Sequence, residues 1–322
     1  MRLQRNIQTE FDGLVCAAAQ PPILRGWIGV CLYTSIARVC PCGQHPAFIR
    51  YYAGVPLWAR GYKMNPANLG TYAVNTWCPG CGNFAILNAI KAVLLELNAQ
   101  GTPFENIVLV SGIGCHAKIV DYLNLNSFYS LHGRAVPAAE GIKLANPNVK
   151  VIGFAGDGDA YGEGIEHLIF AAKRDIDITM IIHNNRVYGL TTGQYTPTSP
   201  LGYKGRSTPA GTTELPLNPL ELMLASGASF LARGTSHGLE LLKKVIKEAI
   251  LHKGFSLVDI LQVCVTYYNM YEYYDQRVYE IKDHNPGDFN QASNKIREWD
   301  YNTDSPIALG VFYKKEMPTF RL

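Results

Sequence analysis

The chain has 322 residues, 48% of them hydrophobic and 17% charged, so it can bury a full core and has no resemblance in composition to a disordered or fibrous chain. The formal net charge of +3 hides a split, because residues 1–63 carry seven basic and two acidic side chains and the remainder carries 22 and 24. The larger part is therefore no nucleic-acid binder by charge.

Residues 1–63 hold scattered arginines, cysteines and prolines without sustained periodicity. They read as an extension, or as sequence upstream of a start at Met64, and are left out of the expected fold. The opening "MRLQRNIQTEFDG" is polar and no apolar core of a signal peptide follows it directly. The stretch "GWIGVCLYTSIA" is shorter than the roughly 20 apolar residues of a membrane helix. A cytoplasmic, reducing location is expected, with no membrane partner, and there clustered cysteines point to metal rather than disulfides. Cys16, Cys31, Cys40 and Cys42 have a spacing that matches no common zinc or cluster pattern.

From residue 64 to 266 the pattern becomes regular. "NFAILNAIKAVLLELNAQ" has helical periodicity with Asn83 as its expected N-cap, and "NIVLVS" reads as a strand. Helix "RAVPAAEGIKLANP", strand "KVIGFA", helix "IEHLIFAAKR" and strand "DITMIIH" follow, then helix "NPLELMLASG" and strand "SFLARG". Helix "GLELLKKVIKEAILHK" and strand "FSLVDIL" complete the series. Strands alternating with helices imply an α/β fold, a parallel sheet with helices on both faces. Residues 267–322, rich in tyrosine and charge, lack clean strand periodicity and are expected to form an irregular C-terminal tail that wraps the domain or docks on a partner.

"GDGDAYGEG", residues 156–164, directly follows the apolar run "VIGFA". Asp157 thus sits at a strand's C-terminal end, where open α/β sheets bind ligands. Twenty-five residues separate Gly158 from Asn184, and "HNN" closes the next strand. Asp157 and Asn185 are expected to face each other from neighbouring strand ends. A carboxylate and an amide oxygen are hard ligands suited to Mg²⁺ completed by phosphate oxygens and water. Glycines let backbone N–H groups approach a diphosphate, and a helix starting near Gly162 offers its N-terminus.

A second set of residues is built from sulfur. "CPGC" brings Cys78 and Cys81 together before the first helix, Cys115 follows a strand end, and Cys264 follows the strand "FSLVDIL". Four thiolates can hold a [4Fe–4S] cluster or a structural zinc ion. Zinc sites more often use two close pairs, and only one pair exists here.

The GDG–NN spacing resembles the thiamine diphosphate-binding motif. With "WCPGCGNF", "GIGCHAK", "LHGRAVPAAEGIKLANP", "NNRVYGLTTGQYTPTSP" and "LQVCVTY" in this order, the chain from residue 64 onward resembles the β subunit of archaeal 2-oxoacid:ferredoxin oxidoreductases. That resemblance implies Mg²⁺ held by Asp157 and Asn185 through side chains and by Val187 through its carbonyl. Gly158, Asp159, Gly189 and Leu190 would line the diphosphate. Ile113, Gly114, Cys115 and His116, with Ser130, Leu131, His132 and Gly133, would surround the rest of the cofactor. Two departures stand out: His116 and Ala117 replace small polar residues common in the family, and "HNN" replaces the commoner "DN".

The resemblance also favours a [4Fe–4S] cluster on Cys78, Cys81, Cys115 and Cys264. It implies coenzyme A-dependent oxidative decarboxylation of a 2-oxoacid, such as pyruvate or 2-oxoglutarate, to an acyl-CoA and CO₂ with reduction of ferredoxin. Lys118 is the candidate contact for the substrate carboxylate and His132 a candidate proton relay. A single α/β domain leaves the cofactor-activating glutamate and part of the substrate pocket to an α subunit, so this chain alone is expected to be inactive. Two other readings compete. A non-redox thiamine diphosphate decarboxylase or carboligase subunit leaves the four cysteines unused, and a non-catalytic zinc-binding module binds no diphosphate.

Overall fold

Strands that are valine-, isoleucine- and leucine-rich without alternation are those buried on both faces, and they form the centre of this molecule. The computed structural model describes residues 69–320; the expectations for residues 1–63 lie outside the described residues. The first half of the domain runs α1 (Asn83–Ala99), β1 (Ile107–Ser111), β2 (Asn126–Tyr129), α2 (Ala135–Ala145), β3 (Lys150–Gly156), α3 (Ile165–Arg174) and β4 (Thr179–Asn184). A short hairpin, β5 (Val187–Tyr188) and β6 (Gln194–Tyr195), precedes α4 (Pro219–Ala225), β7 (Phe230–Thr235), α5 (Leu239–Leu251) and β8 (Ser256–Leu261). Then come α6 (Tyr271–Asp275), β9 (Val278–Glu280), α7 (Phe289–Arg297) and β10 (Ile307–Lys314).

Eight strands form one sheet in the order β2-β1-β3-β4-β8-β7-β10-β9. Every pairing is parallel except β10 against β7. One face is covered by α1 and α5, whose Ile86, Ile90, Val93, Leu242, Val245 and Ile246 pack over the sheet. The other is covered by α2, α3, α4 and α7 through Val136, Ala139, Leu168, Leu220, Met223 and Ile296. The α/β sandwich expected from alternating strands and helices is the architecture found. Among the described residues no helix is long and apolar enough to cross a membrane.

Two details differ from the sequence expectation. The N-cap of α1 is Gly82, with Asn83 already inside the helix; the Asn83 side chain is buried and its Oδ1 lies 2.8 Å from His183 Nδ1. The C-terminal segment is also less irregular than its sequence reads. β10 extends the sheet beside β7, and Trp299 and Tyr301 stack on each other with ring centroids 4.1 Å apart.

These rings close over two buried arginines. The Arg233 guanidinium lies 5.3 Å from each of the Trp299 and Tyr301 rings, and Arg186 lies 5.5 Å from Trp299. Such contacts stabilise a charge removed from water. Trp299 is fully buried, so Trp299→Ala is expected to cost about 3–5 kcal/mol through the cavity it leaves. A urea denaturation series reads this as a lowered midpoint, and an unchanged midpoint would mean that the segment is not part of the core.

Candidate cofactor pocket and thiol cluster

Parallel strands place their C-terminal ends along one edge, and the loops leaving β1, β3, β4 and β8 meet there. Asp157, directly after β3, is buried, and its Oδ2 accepts a hydrogen bond from Thr198 Oγ1 at 2.8 Å. Burial pushes its carboxyl up to about 6, opposed by the Thr196 and Thr198 hydroxyls and reinforced by the like charge of Asp259. Among the described residues no basic side chain forms an ion pair with it. A buried carboxylate lacking a counter-charge fits a bound cation.

Asn185 stands on the same pocket wall after β4. Its Nδ2 donates to Gln262 Oε1 at 2.9 Å, and its Oδ1 accepts from the Val187 N–H at 3.1 Å. The amide oxygen keeps a second lone pair. Asp157, Asn185 and Val187 all line one pocket, so the oxygen donors named from the sequence are brought together.

The walls of this pocket need glycine. A Cβ on Gly158 would lie 2.2 Å from Tyr188 Cε1, and on Gly112, just before the pocket-lining Ile113, one would lie 1.8 Å from Asp159 Oδ2. Neither leaves room for any side chain. Asp159, expected to line the diphosphate, also ties three loops together. Its Oδ1 accepts the Gly133 N–H at 2.6 Å and lies 3.3 Å from His132 Nδ1, while Oδ2 lies 3.3 Å from His116 Nε2. Asp159 and His116 are both buried, and His132 is exposed at the rim.

Ile113, Gly114, Cys115, His116, His132, Gly158, Asp159, Gly189 and Leu190 line the same pocket as the oxygen donors. Ser130, Leu131 and Gly133 belong to the adjoining loop, where Ser130 N–H donates to the Ser111 carbonyl at 2.8 Å and Leu131 is exposed. Lys118 faces a neighbouring cleft with Thr71, Tyr72 and Asp121, and its Nζ donates to Thr76 Oγ1 at 2.7 Å. Tyr188 and Thr191 also line the cofactor pocket. Burial pushes the Tyr188 hydroxyl up to about 12, with Glu163, Asp157 and Asp159 adding to the effect. It is a neutral hydrogen-bond donor, reaching the Gly158 carbonyl at 3.2 Å.

The thiols lie beside this pocket. A Cβ on Gly189 would be 3.6 Å from Cys264 Sγ and 3.8 Å from Cys115 Sγ, so both thiols flank one glycine of the pocket wall. Burial pushes the Cys81 thiol up to about 11, and Cys264, Cys115 and Cys78 each add to the shift. Cys115 is raised by burial first and by Cys264 next, with Lys118 opposing. Cys81 and Cys115, each with other thiols within electrostatic reach, therefore resist ionisation unless positive charge lies nearby. All four are free of disulfides, and Cys78 is exposed. Among the described residues no three His, Cys, Asp or Glu side chains close on one point as ligands of a single ion.

Neighbours hold the thiol-bearing loops in place. Trp77 Nε1 donates to the Cys115 carbonyl at 2.6 Å, and Trp77 packs edge-on against Phe84 and Tyr122. Tyr271 of α6 donates to the Gly80 carbonyl at 2.8 Å, so the C-terminal segment braces the CPGC turn.

A mostly parallel sheet with a glycine-lined pocket and oxygen donors at its strand ends is the arrangement of a ligand-binding α/β domain. Residues 112–260 match the family described as thiamine pyrophosphate enzyme, C-terminal TPP binding domain. Residues 264–321 match the family described as the C-terminal part of the pyruvate ferredoxin oxidoreductase beta subunit. Over 259 residues the chain is 44% identical to the 2-oxoacid:ferredoxin oxidoreductase subunit beta of Saccharolobus solfataricus, covering 76% of this chain and 83% of that protein. Subunit beta of 2-oxoacid:ferredoxin oxidoreductase 1 from Aeropyrum pernix is 41% identical, with 77% and 80% covered. Among solved structures, the 2-oxoglutarate:ferredoxin oxidoreductase of Magnetococcus marinus, with 2-oxoglutarate, coenzyme A and succinyl-CoA bound, superposes with a TM-score of 0.75. The identity there is 33%, over 80% of this chain and 87% of that one. The chain belongs to the family of 2-oxoacid:ferredoxin oxidoreductase β subunits.

Proposed function

We propose that this chain is the cofactor-binding β subunit of a cytoplasmic enzyme that oxidatively decarboxylates a 2-oxoacid, such as pyruvate or 2-oxoglutarate, to an acyl-CoA. CO₂ is the second product and ferredoxin takes the electrons. The observation that carries this reading is Cys115, which lines the cofactor pocket and also lies in the thiol group. A pocket for diphosphate and magnesium beside four thiols suits decarboxylation coupled to one-electron transfer.

Asp157 and Asn185 would hold Mg²⁺ by their side chains and Val187 by its carbonyl. Gly158, Asp159, Gly189 and Leu190 would border the diphosphate. When bound, thiamine diphosphate supplies an electron sink for loss of CO₂, and a [4Fe–4S] cluster supplies a one-electron acceptor. Cys78, Cys81, Cys115 and Cys264 would hold that cluster. Four thiols with only one close pair in sequence suit such a cluster better than a structural zinc ion, which more often uses two close pairs.

His132, on the rim and backed by buried Asp159, would hold or pass a proton at Nε2. Lys118 would attract the substrate carboxylate from the adjoining cleft. An α subunit would supply the carboxylate that activates the cofactor and would complete the substrate pocket. The exposed Ile113, Leu131 and Leu190 around the pocket suit burial against such a partner.

Anaerobic co-purification with the partner subunit tests the proposal. Iron and sulfide in a ratio near one, and ferredoxin reduction that requires both a 2-oxoacid and coenzyme A, are the expected results. The chain without its partner is expected to show no turnover. Decarboxylation with no iron present would support a non-redox thiamine diphosphate enzyme instead.

A further inference from the structure

Gln262 belongs to neither residue set above, yet its side chain touches both. It follows β8 directly, is 2% exposed, and lies between Asn185 on the pocket side and Cys81 on the thiol side. Its orientation is decided by groups whose roles cannot change. The Val263 carbonyl can only accept, so the Gln262 nitrogen faces it, at 2.6 Å. The Gln262 oxygen then faces Asn185, which must offer its own nitrogen, at 2.9 Å. That leaves Asn185 Oδ1 toward the Val187 N–H, which can only donate, at 3.1 Å. Both amides are therefore locked in one orientation, and the second Gln262 N–H is free to reach Cys81 Sγ, at 3.5 Å.

We infer that Gln262 is a positioning residue shared by the two centres, orienting the Asn185 amide oxygen toward the cation and donating a hydrogen bond to the Cys81 sulfur. The inference rests on the reading of Asn185 as a magnesium ligand and of Cys81 as a cluster ligand. On the pocket side, a reversed Asn185 amide would present its NH₂ to the cation, and Gln262 prevents the reversal by accepting from that nitrogen. On the thiol side, an N–H donor offsets part of the negative charge on a ligating sulfur. It stabilises the reduced cluster more than the oxidised one and so raises the reduction potential. Gly82 keeps this arrangement compact, since a Cβ there would lie 3.1 Å from Gln262 Cγ and 2.8 Å from the Val263 nitrogen.

Two substitutions separate the roles. Gln262→Met keeps the volume and removes both polar ends, whereas Gln262→Glu keeps the oxygen that faces Asn185 and removes the N–H donor. Both are made in the full chain with its partner subunit and prepared anaerobically beside the wild type. Iron content, the cluster's reduction potential and the affinity for thiamine diphosphate with Mg²⁺ are measured on each. Gln262→Met is expected to shift the potential to more negative values and to weaken cofactor binding about tenfold or more. Gln262→Glu is expected to lower the potential while cofactor affinity stays near that of the wild type. If Gln262→Met does not load iron, Gln262→Leu, also uncharged and without an N–H donor, reports the potential, and the glutamate variant reports the cofactor side.

A merely structural role would lower the melting temperature of the uncharged methionine variant and leave the potential of its loaded cluster unmoved, and that result overturns the inference. The glutamate's own charge lowers the potential whatever its hydrogen bonds, so that variant is read for cofactor affinity. So does a methionine variant in which only one centre responds. A wild-type complex that contains no iron would remove the cluster reading itself and this inference with it. Wild type with a cluster but unresponsive variants removes the inference alone.

Discussion

Asp157→Ala is expected to abolish retention of thiamine diphosphate while leaving the fold intact. The carboxylate is buried, its side-chain hydrogen-bond donors are neutral hydroxyls, and the charge of Asp259 acting on it has the same sign. Such a group does not stabilise the empty protein, so its removal is not expected to lower the melting temperature. Thr198, which loses an acceptor, still has Asn184 Oδ1 at 3.0 Å. Metal binding fares differently. Losing a partner that only orients a metal ligand typically costs 10- to 100-fold in affinity, and loss of a ligand itself is expected to exceed about 100-fold. Titration of the variant with thiamine diphosphate and Mg²⁺, read by calorimetry, measures the change, and circular dichroism checks the fold. Binding within a few-fold of wild type would remove Asp157 from the metal site.

The sequence was most readable where side chains are buried on both faces. β3, β4 and β8 stand out as short, mostly apolar runs without alternation because helices cover them on either side, β8 being broken only by the buried Asp259. β2 escaped notice because it is an edge strand, "NSFY", with its middle residues exposed. The C-terminal segment was harder for a related reason. α7, "FNQASNKIR", buries only Ala292 and Ile296, and its polar residues mask the helical stripe. Tyr301, Trp299 and Tyr274 looked like an aromatic-rich appendage and instead form a small core of their own with Leu261 and Ile307.

The site divides along similar lines. Asp157, Asn185 and the four cysteines carry chemistry in their residue types, so their spacing was informative. Thr198, Tyr188 and Gln262 act through contacts that arise only after folding. Nothing about a glutamine two positions before a cysteine signals that its amide will meet Asn185, 77 positions away along the chain. Asp159 was assigned to the diphosphate from the motif it belongs to. Its bonds to the loops carrying Gly133, His132 and His116 depend on β1, β2 and β3 being neighbours in the sheet.

Cys115→Ala should separate the redox chemistry from cofactor binding, because Cys115 borders both. Its side chain is the part facing Cys264 across Gly189, whereas its backbone carbonyl is held by Trp77 Nε1. Alanine removes the thiol and keeps the carbonyl, so the loop after β1 is expected to retain its course. Three thiols would remain for a cluster that uses four. The variant, purified anaerobically with its partner, is therefore expected to lose the visible absorbance of the cluster and to reduce ferredoxin only at background level. Thiamine diphosphate affinity should stay close to that of the wild type, since none of the oxygen donors has been touched. Loss of both properties together would mean that the thiol side chain supports the pocket itself. Full ferredoxin reduction by the variant would exclude Cys115 as a ligand. Stoichiometric zinc without iron or sulfide in anaerobically prepared wild type would replace the whole redox reading with a structural zinc site.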